Sequence, residues 1–145
     1  MRTTKVFFFA LSLWSAVVSA QDQRMGTFKS VTGDVGLTQA ATQRRAEPGG
    51  GLQSTDRILT GRDASATFML KDGTVVSVGP NSMLELAKVQ FDTTTQDGSL
   101  VLNLLQGTIR VVTGWLAKLH PEQVKVNTPT SVVGVRGTDF IVEVP

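Results

Sequence analysis

His120 is the single histidine of this 145-residue chain, so it is the first residue to consider for acid–base catalysis. A Ser-His-Asp site needs a histidine that a carboxylate holds on a rigid element, and His120 precedes Pro121 in the least regular part of the sequence. A zinc site needs further His or Cys ligands, and the sequence contains neither. We therefore expect no catalytic or metal-binding role for His120, and we expect no cofactor.

The carboxylates are scattered through predicted loops and strand ends. Two carboxylates at a suitable separation can hydrolyse a glycosidic bond, but spacing along the chain does not establish such a separation. Asp72 and Asp97 each precede a glycine, which is typical of turns that an aspartate side chain organises. We therefore predict a non-enzymatic protein and keep a hydrolase as a distant alternative. The residues considered are Asp56, Asp63, Asp72, Glu85, Asp92 and Asp97.

Arg136 and Asp139 lie in the segment Thr128–Val144, where two apolar runs meet at Val-Arg-Gly-Thr. A guanidinium at this junction can pair with a carboxylate and lock the last strands, or it can face a partner. The flanking valines and Gly137 favour a close-packed, structural Arg136. A bulge at Gly137 would turn Arg136 outward, whereas uninterrupted pairing would place it on the Phe140 face.

The elements that must position these residues are short strands. Apolar stretches after the N-terminus are β-branched and end at Gly or Asp-Gly, which is typical of an all-β domain. We predict a single all-β domain, solenoid-like or sandwich-like, with at most one short helical turn near residues 115–120. The predicted strands are Gly26–Thr32, Val35–Gln39, Ser65–Leu70, Thr74–Val78, Met83–Phe91, Ser99–Gln106, Thr108–Thr113, Gln123–Asn127, Ser131–Val135 and Thr138–Val144.

Two connections are predicted to be hairpins: Gly33-Asp34 joins the first pair of strands, and Asp72-Gly73 joins Ser65–Leu70 to Thr74–Val78. Residues 41–51, with three consecutive glycines, are predicted to be a mobile polar loop, or alternatively a clamp that a partner orders. Asp92–Gly98 is predicted to be a polar hairpin loop.

Trp115, Leu116 and Leu119 would share one side of a helical turn that Pro121 ends. We expect this turn to cover one end of the β core. The alternative is an exposed docking patch around Trp115, because large apolar patches on soluble proteins commonly bind something.

The N-terminus has the features of a signal peptide over residues 1–20. Arg2 and Lys5 precede an apolar run, Val6–Val18, and a small-residue cleavage site lies between Ala20 and Gln21. The run is shorter than the roughly 20 residues of a spanning helix, so we expect cleavage, no membrane span thereafter, and a periplasmic or secreted protein. An uncleaved anchor is the alternative.

The charge balance argues against nucleic-acid binding. The chain has 14 basic and 12 acidic residues, and loss of residues 1–20 removes two basic residues and no acidic one. A neutral chain has little with which to neutralise phosphates. The absence of cysteine excludes disulfides and zinc–thiolate sites.

The ordered motifs of the chain resemble the FecR domain family. They run from Gly33-Asp34-Val35 through Asp56–Gly61 and Asp72-Gly73-Thr74, and the resemblance spans a core of residues 33–144 within a domain of residues 21–145. The signature positions, which we expect to be structural, are Asp72, Gly73, Asn81, Ser82, Gly107, Thr128, Pro129, Val135, Arg136, Gly137 and Thr138.

The resemblance implies a periplasmic domain that receives a signal from an outer-membrane transporter, while a cytoplasmic region acts on a sigma factor. Here a predicted signal peptide stands where the cytoplasmic region would be, so we do not expect this chain alone to signal to the cytoplasm. We expect an interaction or sensory module whose partner is another envelope protein, with Trp115 and Arg136 as candidate contacts. The alternative is a cell-wall or glycan-binding module.

Overall fold

The structure is a computed structural model that describes residues 23–136 and 138–145. The predicted signal peptide, its cleavage site at Ala20 and Gln21, and the predicted bulge at Gly137 lie outside the described residues. The strands are β1 Gly26–Thr32, β2 Val35–Gln39, β3 Thr42–Arg45, β4 Gly51–Leu52, β5 Arg57–Thr60, β6 Ser65–Leu70, β7 Val75–Val78, β8 Met83–Asp92, β9 Asp97–Val112, β10 Val124–Asn127, β11 Val132–Gly134 and β12 Asp139–Val144, with helix α1 at Trp115–Leu119 and a 3₁₀ turn at Pro121–Gln123.

The twelve strands form one sheet that curls without closing, which confirms the predicted single all-β domain. We call its two parts sheet I and sheet II. Sheet I contains β4, β1, β6, β7, the last part of β9 and β12. Sheet II contains β3, β2, β5, β8, the first part of β9, β10 and β11.

β9 belongs to both parts, and this corrects the prediction of two separate strands. Residues 97–106 pair with β8, and residues 107–112 pair with β12. Gly107 lies between these stretches with φ +93°, and a Cβ there would lie 2.0 Å from the Ser82 hydroxyl oxygen. Such a conformation and approach require glycine. The predicted break at Gly107 is therefore a bend within one 16-residue strand.

The core lies between sheets I and II, because alternate residues of both point inward. Phe28 of β1 and Phe68 of β6 meet edge-to-face with ring centroids 6.0 Å apart, and both are almost fully buried. Each such side chain contributes about 1.5–3 kcal/mol of burial free energy. Leu37, Ile58 and Leu102 of sheet II belong to the same buried cluster.

The hairpin at Asp72-Gly73 is confirmed, because β6 and β7 pair antiparallel across it. The hairpin at Gly33-Asp34 is wrong. β1 pairs with β4 and β6, whereas β2 pairs with β3 and β5. The Gly-Asp signal marks a sharp turn correctly, but here that turn carries the chain from sheet I to sheet II.

The prediction of a loop over residues 41–51 is also wrong in its secondary structure. Residues Thr42–Arg45 form β3 on the edge of sheet II, and Gly51–Leu52 form β4 on the edge of sheet I. Ala46 is buried, and its N–H donates to the carbonyl of Val35 at 2.9 Å. Backbone pairing at a sheet edge does not need an apolar side-chain pattern, so the polar sequence did not reveal it.

The one short helical turn near residues 115–120 is confirmed by α1. Leu116 is fully buried at the end of the core, while Leu119 is about half exposed. In the part of the chain that the structure describes, no helix has the length and apolar character needed to cross a membrane.

Candidate interaction site

Asp72 organises the turn between β6 and β7 and attaches it to α1. Its carboxylate accepts hydrogen bonds from the Thr74 backbone N–H (2.9 Å) and the Thr74 hydroxyl (2.7 Å). The same hydroxyl accepts a hydrogen bond from the N–H of Gly114 at 3.0 Å, and the N–H of Trp115 donates to the Asp72 carbonyl. Asp72 and Thr74 are both buried. The turn thereby fixes the position at which α1 begins.

Ser82 links β5 to the part of β9 that follows Gly107. Its N–H donates to the Thr60 hydroxyl at 2.9 Å, and its own hydroxyl accepts from the N–H of Thr108 at 3.0 Å. Asn81 adopts φ +51° immediately before it. These bonds hold the chain against Gly107, where the absent side chain makes room for Ser82.

Thr128 and Pro129 lie in the turn between β10 and β11. The Thr128 N–H donates to the carbonyl of Ser131 at 2.8 Å, and the Thr128 hydroxyl accepts from the N–H of Ser131 at 3.0 Å. Val135 follows β11 and is buried in the core. These signature positions therefore close turns and fill the core.

Arg136 is exposed, which does not fit the close-packed position that its neighbours in sequence favoured. Among the described residues it forms no ion pair with a carboxylate. The carboxylate of Asp139 pairs instead with Arg110 of β9, through two hydrogen bonds of 3.0 and 2.6 Å. The hydrogen bonds from Arg110 lower the pKa of Asp139. The sequence did not reveal this pair, because it depends on which strand lies beside β12.

β12 is an edge strand whose side chains alternate between two faces. Phe140, Val142 and Val144 point towards the core and are half-buried, whereas Ile141 is 66% exposed on the opposite face. Within the described residues β12 pairs only with β9. Its second edge therefore has unpaired backbone groups.

A groove of about 370 Å³ runs along β12 on the side facing β11. We call it the β11–β12 groove. It lies where the curled sheet stays open, because β11 ends one edge of sheet II and β12 ends one edge of sheet I. Apart from one charged side chain of each sign, the side chains that line it are apolar. The lining includes Val133, Val135, Phe140, Val142, Arg136 and Glu143.

Residues 56–144, more than half of the chain, match the family described as FecR protein. The chain belongs to the FecR family. Neither curated proteins nor solved structures give a match to it. FecR domains are known from regulators of cell-surface signalling.

The FecR match begins one residue before β5 and ends with the last residue of β12, so it includes the Asp72 turn, the β9 bend and the β11–β12 groove. It does not include β1 to β4, although Phe28, Val35 and Leu52 of these strands are buried in the same core. The matched residues alone would therefore leave part of that core uncovered.

Trp115, one of the two candidate contacts, is half-buried at the start of α1. Its ring lies edge-to-face against Phe91 of β8, with centroids 6.0 Å apart. Trp115 also packs against the core, beside the fully buried Leu116. Part of the Trp115 ring is thus already in contact with the protein, and α1 covers the end of the core.

Asp56 is the most deeply buried carboxylate of the described chain. One of its oxygens accepts a hydrogen bond from the N–H of Gln53 at 2.8 Å, while Oδ1 has no partner among the described residues. Burial raises the pKa of Asp56, and the Gln53 bond and the charge of Arg44 offset this only in part. Asp56 therefore holds the turn before β5, and burial of its ionised carboxylate costs folding free energy.

A row of polar side chains crosses the outer face of sheet II. Arg57 pairs with Glu85 at 2.8 Å, Asn103 donates to the other Glu85 oxygen at 3.4 Å, and Asn127 donates to Asn103 at 3.0 Å. These residues lie directly opposite one another on β5, β8, β9 and β10. Their hydrogen bonds are directed at each other, which favours a role in fixing strand register.

His120 lies at the end of α1, where its Nδ1 is 3.6 Å from the Glu122 carboxylate. Both side chains are exposed. No group of three or more His, Cys, Asp or Glu residues that could hold a metal ion occurs among the described residues.

Proposed function

We propose that this FecR-family chain is an exported, non-catalytic interaction or sensory module whose contact site is the free edge of β12 with the β11–β12 groove. Export rests on the N-terminal sequence, and the absence of catalysis rests on the family. The contact site rests on one observation. Of the sheet edges in the described chain, β12 is the long one that lacks the usual protection against strand addition.

The other edges differ from β12 in length or charge. β4 has two residues and β11 has three, so each offers few backbone groups to an added strand. β3 is fully exposed and ends in Arg44 and Arg45, and charged side chains discourage pairing along an edge. β12 has six residues, of which four are apolar. Its two carboxylates include Asp139, which Arg110 already neutralises.

Site-specific photo-crosslinking in the intact cell envelope tests this proposal. A photoreactive amino acid at Ile141 is expected to give one reproducible adduct with another envelope protein. The matched control carries it at Thr93, which is equally accessible at the tip of the β8–β9 turn. No adduct from Ile141, or the same adducts from both positions, would refute the contact site.

The alternative function, binding to the cell wall or to a glycan, depended on Trp115 as an aromatic platform. The packing of Trp115 against Phe91 leaves less of that ring available. Co-sedimentation with peptidoglycan distinguishes the two functions, since retention that Trp115→Ala abolishes would favour the glycan.

A further inference from the structure

We infer that the occupant of the β12 edge is an extended peptide segment that pairs antiparallel with β12 and has, from its N-terminus to its C-terminus, a basic residue, alternating apolar residues and an acidic residue. This inference rests on the proposed function and names the chemistry of the partner. Three features of the edge define that chemistry: its free backbone groups, its apolar face and the placement of its charges.

The free backbone groups belong to alternate residues of β12. The Thr113 N–H donates to the Thr138 carbonyl at 2.9 Å, which makes these two residues a hydrogen-bonded pair in the β9–β12 register. In an antiparallel ladder the next such pairs follow at every second residue. The N–H and C=O groups of Asp139, Ile141 and Glu143 therefore point away from β9.

The direction of the occupant follows from the surroundings of β12. Every pairing within sheet I is antiparallel, and antiparallel pairs are slightly more stable per residue than parallel ones. An antiparallel strand continues this pattern and hydrogen-bonds to all three free residues.

The apolar face of β12 selects apolar side chains at alternate positions of the occupant. Phe140 and Val142 are only half-buried, and the β11–β12 groove lies beside them. Side chains opposite Phe140 and Val142 point to the same face, so they would enter the groove and contact Val133 and Val135. Burial of this surface supplies the affinity that backbone hydrogen bonds alone do not give.

The charges of the groove define the order of the charges along the occupant. Glu143 lies near the C-terminal end of β12, and the exposed Arg136 precedes the strand at its N-terminal end. The charge of Asp139 is not available to an occupant, because Asp139 pairs with Arg110. An antiparallel occupant therefore places its N-terminal part beside Glu143 and its C-terminal part beside Arg136. Opposite charges across strands stabilise the pair, and like charges destabilise it.

Two capped, fluorescently labelled peptides test the inference on the full chain. The first, Val-Lys-Val-Thr-Val-Thr-Glu, has the predicted pattern, and the second, Val-Glu-Val-Thr-Val-Thr-Lys, exchanges only the two charges. Fluorescence anisotropy is expected to show binding of the first at least about fivefold tighter than binding of the second. Equal affinities, or no binding of either peptide, would overturn the inference.

Protein variants identify the edge that binds. Ile141→Pro removes an N–H that points away from β9, so it spares the internal ladder, and we expect about a tenfold or greater loss of affinity. Ile141→Thr keeps the N–H and is the matched control. If the proline variant unfolds, the first peptide N-methylated at the residues that face Ile141 and Glu143 makes the same test on the unchanged protein. Unchanged affinity in both tests would refute pairing at β12.

Exchange of the protein's charges tests the polarity. The double variant Arg136→Glu, Glu143→Lys is expected to prefer the second peptide, since the charge pattern of the groove is then reversed. An unchanged preference would show that these two residues do not define the direction of the occupant, and would overturn the inference.

The remaining outcome concerns the identity of the occupant. A second copy of this chain could pair through the same edge, and sedimentation at the concentrations used for binding would then show a dimer that Ile141→Pro dissociates. That result would refute a separate partner peptide. If Ile141 crosslinks to an envelope protein while the peptides fail to bind, the proposed function stands and the charge pattern is wrong.

Discussion

Thr74 links two parts of the chain that are 40 residues apart through one buried hydroxyl. That hydroxyl donates to Asp72 and accepts from the N–H of Gly114. Thr74→Val keeps the shape but leaves the Gly114 N–H and one Asp72 carboxylate oxygen without their hydrogen bonds to the hydroxyl. We expect the free energy of unfolding, measured by urea denaturation, to fall by about 1–3 kcal/mol.

Thr74→Ser is the control for this substitution because it keeps the hydroxyl and removes only a methyl group. Its expected cost is about 1 kcal/mol or less. If the serine variant were as unstable as the valine variant, the loss would come from packing, and the hydrogen-bond relay would be unimportant.

Asp56 should make the free energy of unfolding depend on pH in the direction opposite to that of most carboxylates. Burial raises the pKa of Asp56 in the folded state, above an unfolded value of about 3.9. Its contribution to stability is therefore fully present below that unfolded value and is lost as the pH rises through the folded pKa. We expect Asp56→Asn to gain stability relative to the unmodified protein as the pH rises from about 4 to 7. The free energies of unfolding of both proteins are measured by urea denaturation across this pH range. A difference between them that does not change with pH would contradict the prediction.

Asp139 provides a contrast of opposite sign. The bonds from Arg110 lower its folded pKa, so its contribution is present above about 3.9 and is lost as the pH falls through the lowered value. The stability deficit of Asp139→Asn should thus shrink on acidification. Both variants lose one negative charge, so a general effect of net charge would change their free energies of unfolding with pH in the same direction. Opposite changes in the two variants would therefore show the local effects.

At the scale of elements, the bend of β9 depends on Gly107. Alanine there would occupy φ +93° and place its Cβ 2.5 Å from the Cα of Ser82. We expect Gly107→Ala to lower the free energy of unfolding by about 2–5 kcal/mol, from the strained backbone and the overlap together. Thermal and urea denaturation measure this loss.

Gly49 is the matched control for Gly107. It has φ +82°, but a Cβ there meets nothing within 4 Å. Gly49→Ala should therefore cost only the backbone term, about 1–2 kcal/mol. Equal losses in the two variants would mean that the contact between Gly107 and Ser82 is not what stabilises the bend.

Most of the strands were predictable, whereas few of their neighbours in the sheet were. Alternation of apolar residues defined β1, β2 and β6 to the residue, because side-chain period is a local property. Pairing depends on the whole chain. Gly33 therefore signalled a turn correctly while giving no sign that β1 and β2 lie in different parts of the sheet.

The candidate site was predictable in part for the same reason. The alternating faces of β12 could be derived from its sequence, but its free edge depends on which strands pair elsewhere. Arg136 shows the limit most clearly. Its neighbours in sequence are small or apolar, which favoured a close-packed position, and yet Arg136 is exposed beside the buried Val135.

For the whole molecule, β9 is the element that makes one folding unit of the two parts. It pairs with β8 and β10 in sheet II and with β7 and β12 in sheet I. The core lies between these parts, so separation of one sheet would expose the apolar face of the other. Neither sheet can therefore lose its structure independently without a large cost in exposed apolar surface.

Unfolding should consequently be a single cooperative transition. In a full-length Trp14→Phe variant, Trp115 is the sole tryptophan, and its fluorescence reports on α1 and on Phe91. Far-ultraviolet circular dichroism reports on the strands of both sheets. We expect the two signals to give the same urea midpoint, and Gly107→Ala to lower both equally, because the β9 bend joins the parts that they monitor. Separate midpoints would mean that sheets I and II unfold independently.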